Sequence, residues 1–314
     1  MAFFFTSAMS RGVSASSSAA GGGELLLLTL NPALASNPAY LYYSFEDNYL
    51  GAFRINPDPG GEGMGTMRFG DGAIAYNPDN NSLFISGHDT DGCIIAEFNI
   101  PASFSSSLTL TDLPIATVRQ SCVRAYDRGT GLKHVGYVFE VMPAGLYYNS
   151  GRLMISVYGQ YAQAPNFDTQ YLVFRDANNL DTSAVDGWML TPHPMAACGS
   201  VVPIPSVYQS ALGGTHLTGF SNSTDKGSTQ SLSSGPAAYS FSPNSILANS
   251  ETIGTGLLSI NRLMHYPLYG ILAPTDNHLY NDDNGGSVGG NVLEPPSRWT
   301  HLAETNCGVV IPGT

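Results

Sequence analysis

The fold is decided by residues 72–86, which read GAIAYNPDNNSLFIS. An apolar strand ends in Tyr-Asn, a turn of Pro, Asp and Asn follows, and a second strand reads Leu-Phe-Ile-Ser. This order predicts a β-hairpin, because the turn residues either fix φ or tolerate the left-handed region. Residues 145–156 repeat the pattern with a shorter turn and read GLYYNSGRLMIS. The recurrence indicates a repeat built from antiparallel strands.

A third strand is predicted in each unit, at residues 94–101, 171–177 and 237–243. Units of about 70 residues, each with three or four strands and a long connection, are typical of a β-propeller with elaborated loops. The sequence therefore predicts an all-β fold, namely a β-propeller of roughly four to six blades with long loops. A β-sandwich is the alternative.

The composition indicates a single repeat-built domain with an unusual surface. The chain has 314 residues, of which 43% are hydrophobic, so it can bury a large core. Only 11% of the residues are charged, and the only lysines are Lys133 and Lys226. An average soluble domain has about 25% charged residues. A surface made of amides, hydroxyls, Gly and Tyr is typical of extracellular and virion proteins, which is the localisation we expect.

Charge and hydropathy argue against two classes of partner. The net charge is −12 and the arginines are scattered, whereas nucleic-acid binding needs clustered positive charge. The longest apolar stretch, residues 25–30, is far shorter than the ~20 residues that span a membrane. We therefore expect neither nucleic-acid binding nor a membrane span.

The cysteines are far apart and form no C-x-x-C motif, which argues against a zinc knuckle or a redox motif. Buried free thiols and one or two disulfides in an oxidising setting are both compatible with their spacing. They are Cys93, Cys122, Cys198 and Cys307.

The N-terminus differs from the rest of the chain. Residues 14–23 read SASSSAAGGG, which contains too little apolar surface to fold alone, and an aromatic tip of Phe3, Phe4 and Phe5 precedes it. We divide the chain into a flexible arm, 1–23, and a propeller-like domain, 24–314. The three rings are predicted to dock into a groove on a neighbouring subunit, with an arm folded back over its own sheets as the alternative. Docking predicts that deleting residues 1–23 abolishes assembly with little change in melting temperature.

Two further segments carry predictions. Residues 203–213, which read PIPSVYQSALG, are the best helix candidate, with Ser206 as the N-cap and Gly213 at the end. Residues 307–314, which read CGVVIPGT, parallel residues 72–78 and look like the first strand of another unit. Either the N-terminal strand closes the ring, or the chain is a fragment of a longer product.

Residues 72–101, with their AYNP, NSLFI, GHD and AEFNIP segments, resemble an uncharacterised family of propeller-like hypothetical proteins from bacteria and environmental sequences. The resemblance extends more weakly through residues 206–214 and 235–241, and so covers about half of the chain. It implies the propeller fold. It also implies that the element near the C-terminus leads into a further strand, but it supplies no activity and no catalytic residues.

Residues 87–92, which read GHDTDG, form the densest polar cluster. Asp89 and Asp91 lie on one side of a tight turn, as at the start of many calcium loops, although the third acid and the distal Glu of an EF-type loop are absent. Calcium is therefore the candidate cofactor, and a turn without metal is the alternative. His88 and Asp89 could transfer a proton, but adjacent strand residues point to opposite faces.

An aromatic and amide-rich stretch is the candidate glycan site. A tyrosine ring can stack on a pyranose while amides bond its hydroxyl groups. The alternative is that the rings pack inside a blade. The candidate residues are Tyr158, Tyr161, Phe167, Gln160 and Gln163.

The common catalytic signatures are missing: there is no Gly-x-Ser-x-Gly, no His-Glu-x-x-His and no phosphate-binding glycine loop. The sequence favours a non-enzymatic structural or adhesive module of a larger extracellular or virion assembly, which contacts glycan or a partner protein through blade-end loops. One alternative is a secreted polysaccharide-degrading enzyme with two carboxylates at the propeller mouth, roughly 5–10 Å apart. A calcium-stabilised binding module is the third hypothesis.

Overall fold

A computed structural model describes just over half of the chain, and every structural statement below concerns that part. Strands make up most of its regular structure, so the all-β prediction is confirmed. The described residues are 2–4, 49–68, 70, 72–88, 92–129, 141–159, 170–189, 191–192, 197–219, 237–248, 258–264, 280–281 and 299–300.

The strands are numbered in chain order, and three short α-helices and a 3₁₀ turn lie between them. The strands are β1 Ala2–Phe4, β2 Ala52–Ile55, β3 Ile74–Asn77, β4 Ser82–Ser86, β5 Ile94–Asn99, β6 Ile115–Ala116, β7 Val118–Arg124, β8 Val141–Asn149, β9 Arg152–Gly159, β10 Tyr171–Phe174, β11 Val185–Met189, β12 Val202–Pro203, β13 His216–Thr218, β14 Ala238–Phe241, β15 Asn261–Met264, β16 Tyr280–Asn281 and β17 Trp299–Thr300. The helices are α1 Ala125–Arg128, α2 Ser206–Leu212 and α3 Pro243–Ala248, and the 3₁₀ turn is Leu110–Asp112.

Within the described part, the strands form three four-stranded antiparallel sheets. The first sheet has the order β3-β4-β5-β7, the second has β8-β9-β10-β11 and the third has β12-β13-β14-β15. An N-terminal sheet precedes them, in which β2 pairs antiparallel with β1 and parallel with β6. The strands β16 and β17 form a separate parallel pair.

Both predicted hairpins are present. The strands β3 and β4 pair from Ile74 opposite Ile85 to Asn77 opposite Ser82, and the left-handed φ of 50° that the turn requires is adopted by Asn81. Between β8 and β9 the turn needs two such residues, which are Ser150 and Gly151. The predicted third strands appear as β5, β10 and β14, and each is the third member of its sheet.

The sheets pack face to face in chain order, with a separate apolar cluster at each junction. In β10, Leu172 and Phe174 face the first sheet, whereas the alternate residues Tyr171 and Val173 face the third. The strand β4 is buried on both faces for the same reason, since it lies between the N-terminal sheet and the second sheet. The first and second sheets are therefore interior layers.

The prediction for α2 is right at one end and wrong at the other. The helix ends where expected, because Gly213 adopts the left-handed conformation with φ 72° and donates its N–H to the Gln209 carbonyl at 2.8 Å. At the start, Pro205 is the N-cap residue and no side chain caps the helix. Ser206 is already inside the helix, so it does not serve as the N-cap.

Three of the four cysteines, Cys93, Cys122 and Cys198, are buried and form no disulfide, and Cys307 lies outside the described residues. The backbone of Ala2–Phe4 pairs with β2 of the same chain, while Phe5 and the remainder of the arm lie outside the described residues. Docking of the three rings on a partner stays a prediction. No helix among the described residues is long and apolar enough to cross a membrane.

Candidate functional site

The candidate site is one end of the stacked sheets, which we call the turn end. Neighbouring strands in an antiparallel sheet run in opposite directions. The connection between the first and second strands and the connection between the third and fourth strands therefore lie at the same end of each sheet. The described residues of these connections are 78–81 and 100–117 in the first sheet, 150–151 and 175–184 in the second, and 204–215, 242–248 and 258–260 in the third.

At the junction of the first and second sheets, an asparagine pair joins two of these connections. Asn80 Nδ2 donates to Asn178 Oδ1 at 2.6 Å. The hydroxyl of Tyr148 donates to Asp79 Oδ2 at 2.5 Å, and burial together with this bond raises the pKa of Tyr148 to about 12. The first turn of one sheet is thus held against the third-to-fourth connection of the next.

A second asparagine pair lies at the junction of the second and third sheets, where the last residue of β8 meets α3. Asn149 Nδ2 donates to Asn244 Oδ1 at 2.7 Å, and the Tyr147 hydroxyl donates to the same oxygen at 3.4 Å. The guanidinium of Arg152 donates to the Leu247 carbonyl. We call the two amide pairs, Asn80–Asn178 and Asn149–Asn244, the asparagine bridges. Together they place the turn ends of all three sheets on one side.

A buried carboxylate of the first sheet, that of Glu97, belongs to the hydrogen-bond network at the same junction. Glu97, in β5, is 0% exposed and accepts hydrogen bonds from Asn77 Nδ2 at 3.0 Å, from the Ser82 hydroxyl, and from Gln120 Nε2 at 2.5 Å. The partly exposed guanidinium of Arg119 lies 3.6 Å from the same carboxyl group. A fully buried carboxylate needs such donors, because burial removes its water.

Gln120 carries this network across to the second sheet. Its Nε2 also donates to the Ala177 carbonyl at 2.8 Å, and its Oε1 accepts the Leu180 N–H at 2.8 Å. Both partners belong to the third-to-fourth connection of the second sheet. The junction is therefore fixed by polar contacts at its rim in addition to its apolar cluster.

His216 lies at the corresponding junction of the third sheet. Its ring meets the Tyr147 ring edge-on, with centroids 5.0 Å apart, and its Nδ1 lies 2.9 Å from the Thr215 hydroxyl. Burial lowers the pKa of His216 to about 4 and also raises the pKa of Tyr147. Both side chains are therefore neutral at physiological pH.

The turn end also exposes large apolar side chains. Leu108 is 99% exposed and Leu110 is 60% exposed, and both lie on the 100–117 connection together with Ile115. Val207, on α2, is 76% exposed. Exposed apolar groups on a folded protein mark contact surfaces when they occur together.

Leu108 and Leu110 lie on a loop whose backbone is fixed by hydrogen bonds. Arg54 Nε donates to the Leu113 carbonyl at 3.2 Å, and the Leu113 side chain is buried. Ser107 accepts the Thr109 N–H at 3.0 Å and donates to Asp112 Oδ2 at 2.9 Å. Because these bonds order the loop in advance, a partner that binds it loses little conformational freedom there.

Of the predicted glycan site, only Tyr158 lies within the described residues. It is 7% exposed and packs in an apolar cluster with Met142, Ala144 and Cys198. The other candidates, Gln160, Tyr161, Gln163 and Phe167, belong to the segment that connects β9 to β10. These residues lie outside the described part of the chain. The glycan site stays a prediction.

The predicted calcium residues Asp89 and Asp91 also lie outside the described residues, and calcium binding stays a prediction. His88 donates its backbone N–H to the Thr66 carbonyl at 3.0 Å and forms a β-bridge with Gly70. Within the described ranges, no group of three or more His, Cys, Asp or Glu side chains could hold a metal ion.

Every acidic side chain in the described part accepts a hydrogen bond or forms an ion pair within the chain. Arg128 Nη2 binds Glu62 at 2.7 Å and Asp181 at 2.9 Å, and Arg175 Nε donates to Asp186 at 2.7 Å. The hydrogen bond from Arg68 lowers the pKa of Asp58. The acids are Asp58, Glu62, Asp79, Glu97, Asp112, Asp127, Asp176, Asp181 and Asp186.

Sequence reasoning missed the turn end, although the sequence carries a signal for it. Phe98, Phe174 and Phe241 occupy equivalent places, each opposite the start of the second strand of its sheet. Alignment on these rings puts Asn178 and Asn244 three to four residues past the third strand. The repeated asparagine was therefore visible in principle.

Comparison with known proteins adds no relative. No protein-family model, no curated protein and no solved structure matches this chain, so the resemblance to a family of propeller-like proteins stays a prediction.

Proposed function

We propose that this chain is a non-enzymatic structural or adhesive module that contacts a partner protein through its turn end, within a larger extracellular or virion assembly. The observation that carries the proposal is the set of exposed apolar side chains, Leu108, Leu110 and Val207, on connections at that end. Apolar groups left in water gain free energy by being covered.

The arrangement of the sheets supports a propeller as the scaffold. Successive blades of a propeller pack face to face, with their first strands nearest to one another. Here β3 and β8, the first strands of two successive sheets, lie against each other, and both interior sheets are buried on both faces. A two-layer sandwich leaves the outer face of each sheet uncovered, so the stacking favours the propeller.

The acidic residues support a non-enzymatic role over polysaccharide cleavage. A glycosidase needs two carboxyl groups free to act on the sugar, one as acid and one as base or nucleophile. All nine carboxyl groups in the described part are engaged by donors of the chain itself. Their arrangement is that of a scaffold held together by polar contacts.

Sedimentation of the protein from its own source tests the proposal. A tagged wild-type chain is expected to sediment with a larger particle in gently prepared extract or medium. The double variant Leu108→Ser with Leu110→Ser should remain at the monomer position. Met64→Ser is the matched control: Met64 is 58% exposed and lies in a turn bonded to the far end of β7. Wild-type protein found entirely as monomer would refute the proposal.

A further inference from the structure

We propose that the first sheet forms an internal ester crosslink between the side chains of Ser82 and Asn77, made by the folded chain itself with loss of ammonia. The buried network around Glu97 holds a nucleophile, a base, an amide and a donor for the developing charge. The modification takes place once in each molecule, so it is compatible with a non-enzymatic module. It is independent of the contact surface proposed above.

The nucleophile is the hydroxyl group of Ser82. This residue begins β4, is fully buried and donates its hydroxyl hydrogen to Glu97 Oε1. A serine hydroxyl is a weak nucleophile until a neighbouring base takes its proton. The Glu97 carboxylate is within hydrogen-bond reach of that proton, which is the geometric requirement for a general base.

The electrophile is the side-chain amide of Asn77. Asn77 lies directly opposite Ser82 in the β3–β4 pair, and residues opposite each other in an antiparallel pair have neighbouring side chains on one face. Asn77 is also fully buried, and its Nδ2 donates to the same Glu97 Oε1 at 3.0 Å. One oxygen atom therefore holds the hydroxyl group and the amide next to each other, and burial keeps competing water away.

The amide oxygen of Asn77 already has a hydrogen-bond donor. The backbone N–H of Asp79 donates to Asn77 Oδ1 at 3.1 Å. Negative charge develops on this oxygen when Ser82 Oγ attacks Asn77 Cγ, and a backbone N–H that is bonded to it stabilises that charge. The turn of the hairpin thus supplies the oxyanion donor.

The reaction balances without a cofactor. The bond between Ser82 Oγ and Asn77 Cγ forms, and the bond between Asn77 Cγ and Nδ2 breaks. Glu97 takes the proton of the hydroxyl group and passes it to Nδ2, so ammonia leaves and the carboxylate is restored. Ammonia is protonated and diluted in water, which draws the reaction towards the ester.

Two features of the sequence direct the loss of ammonia to this pair. Asparagine commonly loses ammonia when the next backbone nitrogen attacks its side chain, but Pro78 follows Asn77 and has no backbone N–H. In the second sheet the equivalent residue, Asn149, lies opposite Arg152, which has no hydroxyl group. The hairpin β8–β9 is therefore an internal control in the same chain.

The crosslink fixes the turn that joins the first two sheets. In this turn Asp79 accepts the Tyr148 hydroxyl, and Asn80 donates to Asn178 across the junction. An ester between the residues on either side of the turn keeps it closed when the hydrogen bonds of the hairpin open.

Mass spectrometry of the purified full chain tests the crosslink. Folded wild type, incubated overnight at neutral pH and then denatured, is expected to weigh less than its sequence by one ammonia. A protease that cleaves before aspartate cuts between Asn77 and Ser82 and yields fragments 71–78 and 79–88. The two fragments should stay joined in wild type, and hydroxylamine, which cleaves esters and leaves amides, should release them.

Two variants assign the roles. Ser82→Ala removes the nucleophile and Glu97→Gln removes the base, so both should keep the full mass of their sequences and yield separate fragments. Ser86→Ala is the matched control. Ser86 is a buried serine of the same strand whose hydroxyl oxygen accepts the Ala73 N–H, and this variant should form the crosslink as wild type does.

Folded wild type that keeps its full sequence mass and yields separate fragments would overturn the proposal. A loss of ammonia that persists in Ser82→Ala, or that maps to another asparagine, would also overturn it, and a crosslink that persists in Glu97→Gln would remove Glu97 as the base. The wild-type result needs no substitution, so a variant that fails to fold leaves the test decisive. These outcomes leave the proposed function, which sedimentation tests, unaffected.

Discussion

Glu97 shows how one buried acid in an apolar strand can organise a network that reaches a second sheet, since its partner Gln120 also bonds Ala177 and Leu180. The segment Ile94–Asn99 looks like an ordinary buried strand with one acid, and nothing in its pattern predicts which face the acid takes. In the structure the carboxyl group of Glu97 accepts hydrogen bonds from Asn77, Ser82 and Gln120, which lie in the three other strands of the first sheet. Such a network depends on residues distant in sequence, which is why pattern analysis did not find it.

Replacing Glu97 with Gln is expected to lower the free energy of unfolding by about 1–3 kcal/mol. The amide that replaces one carboxylate oxygen turns an acceptor into a donor and faces Asn77 or Gln120, which also donate. Urea unfolding of both proteins measures the change. Asp112→Asn is the control, because Asp112 lies on an exposed loop. An unchanged or raised unfolding free energy for Glu97→Gln would show that the network contributes nothing.

His216 predicts a pH dependence of stability. Its pKa of about 4 in the folded protein lies below the ordinary value of about 6.5 expected when unfolded. Between these values the unfolded chain binds a proton that the folded chain does not, so the unfolding free energy falls as the pH falls from about 6.5 to about 4. His216→Asn should lack this contribution. The unfolding free energies of the two proteins are measured at pH 7 and at pH 5. The difference between them should be smaller at pH 5, and an equal difference at both pH values would contradict the assignment.

The ends of α2 show what single residues reveal. Gly213 was predictable because the left-handed conformation that closes a helix favours glycine strongly. The role of Ser206 was not predictable, because any Ser before an apolar pattern resembles an N-cap. The sequence does not show that Pro205 is already the N-cap residue. A difference of one residue at a helix start changes the role of the side chain.

Among the elements, the strands that were predicted are those with an apolar pattern on both faces. The hairpins β3–β4 and β8–β9 and the third strands β5 and β10 are interior, so their residues are apolar almost throughout. The fourth strands were missed. Residues along β7 alternate between partly exposed and exposed over its first half, and all four residues of β15 are exposed. The exposed residues of β7 and β15 carry little pattern. The strand β11 was also missed, although four of its five residues are buried.

The turn end was missed for a related reason. Leu108 and Leu110 alternate with Ser and Thr, which is also the pattern of a half-buried strand. Only the structure shows that this segment is a loop held by Arg54.

The asparagine bridges predict a coupling between sheets that a double-mutant cycle can measure. Asn80→Ala and Asn178→Ala are each expected to lower the unfolding free energy by about 0.5–1.5 kcal/mol, and the double variant by less than their sum, because both remove one bond. The pair Asn80→Ala with Asn244→Ala is the control. Those residues belong to different junctions, so their effects should add. Additivity in the first pair would mean that the amides do not bond in solution.

For the whole molecule, composition and repeat length were enough to predict an all-β chain whose strands form successive units. They did not determine how the first unit is completed. In the N-terminal sheet, Ala2–Phe4 pairs with β2, which is distant in the sequence. A local sequence pattern does not predict such a long-range pairing.

Deletion of residues 1–23 tests the role of that pairing. Without β1, the strand β2 loses an antiparallel neighbour, so the melting temperature should fall by about 2–4 °C for each kcal/mol lost. Differential scanning calorimetry of the purified chain measures it, and sedimentation of the same samples shows whether assembly survives. An unchanged melting temperature with assembly lost would instead favour docking of the aromatic tip on a partner.

Each apolar cluster lies between two neighbouring sheets and involves no third sheet. A further sheet could therefore be added to the described part without changing the existing clusters. A duplicated unit placed after the third sheet would need to match only the outer face of that sheet, and the cluster around Phe84 and Leu172 would be untouched. Loss of an interior unit is different, since it would bring together two faces that evolved against other neighbours. Natural variation in length should therefore be concentrated at the ends of the series.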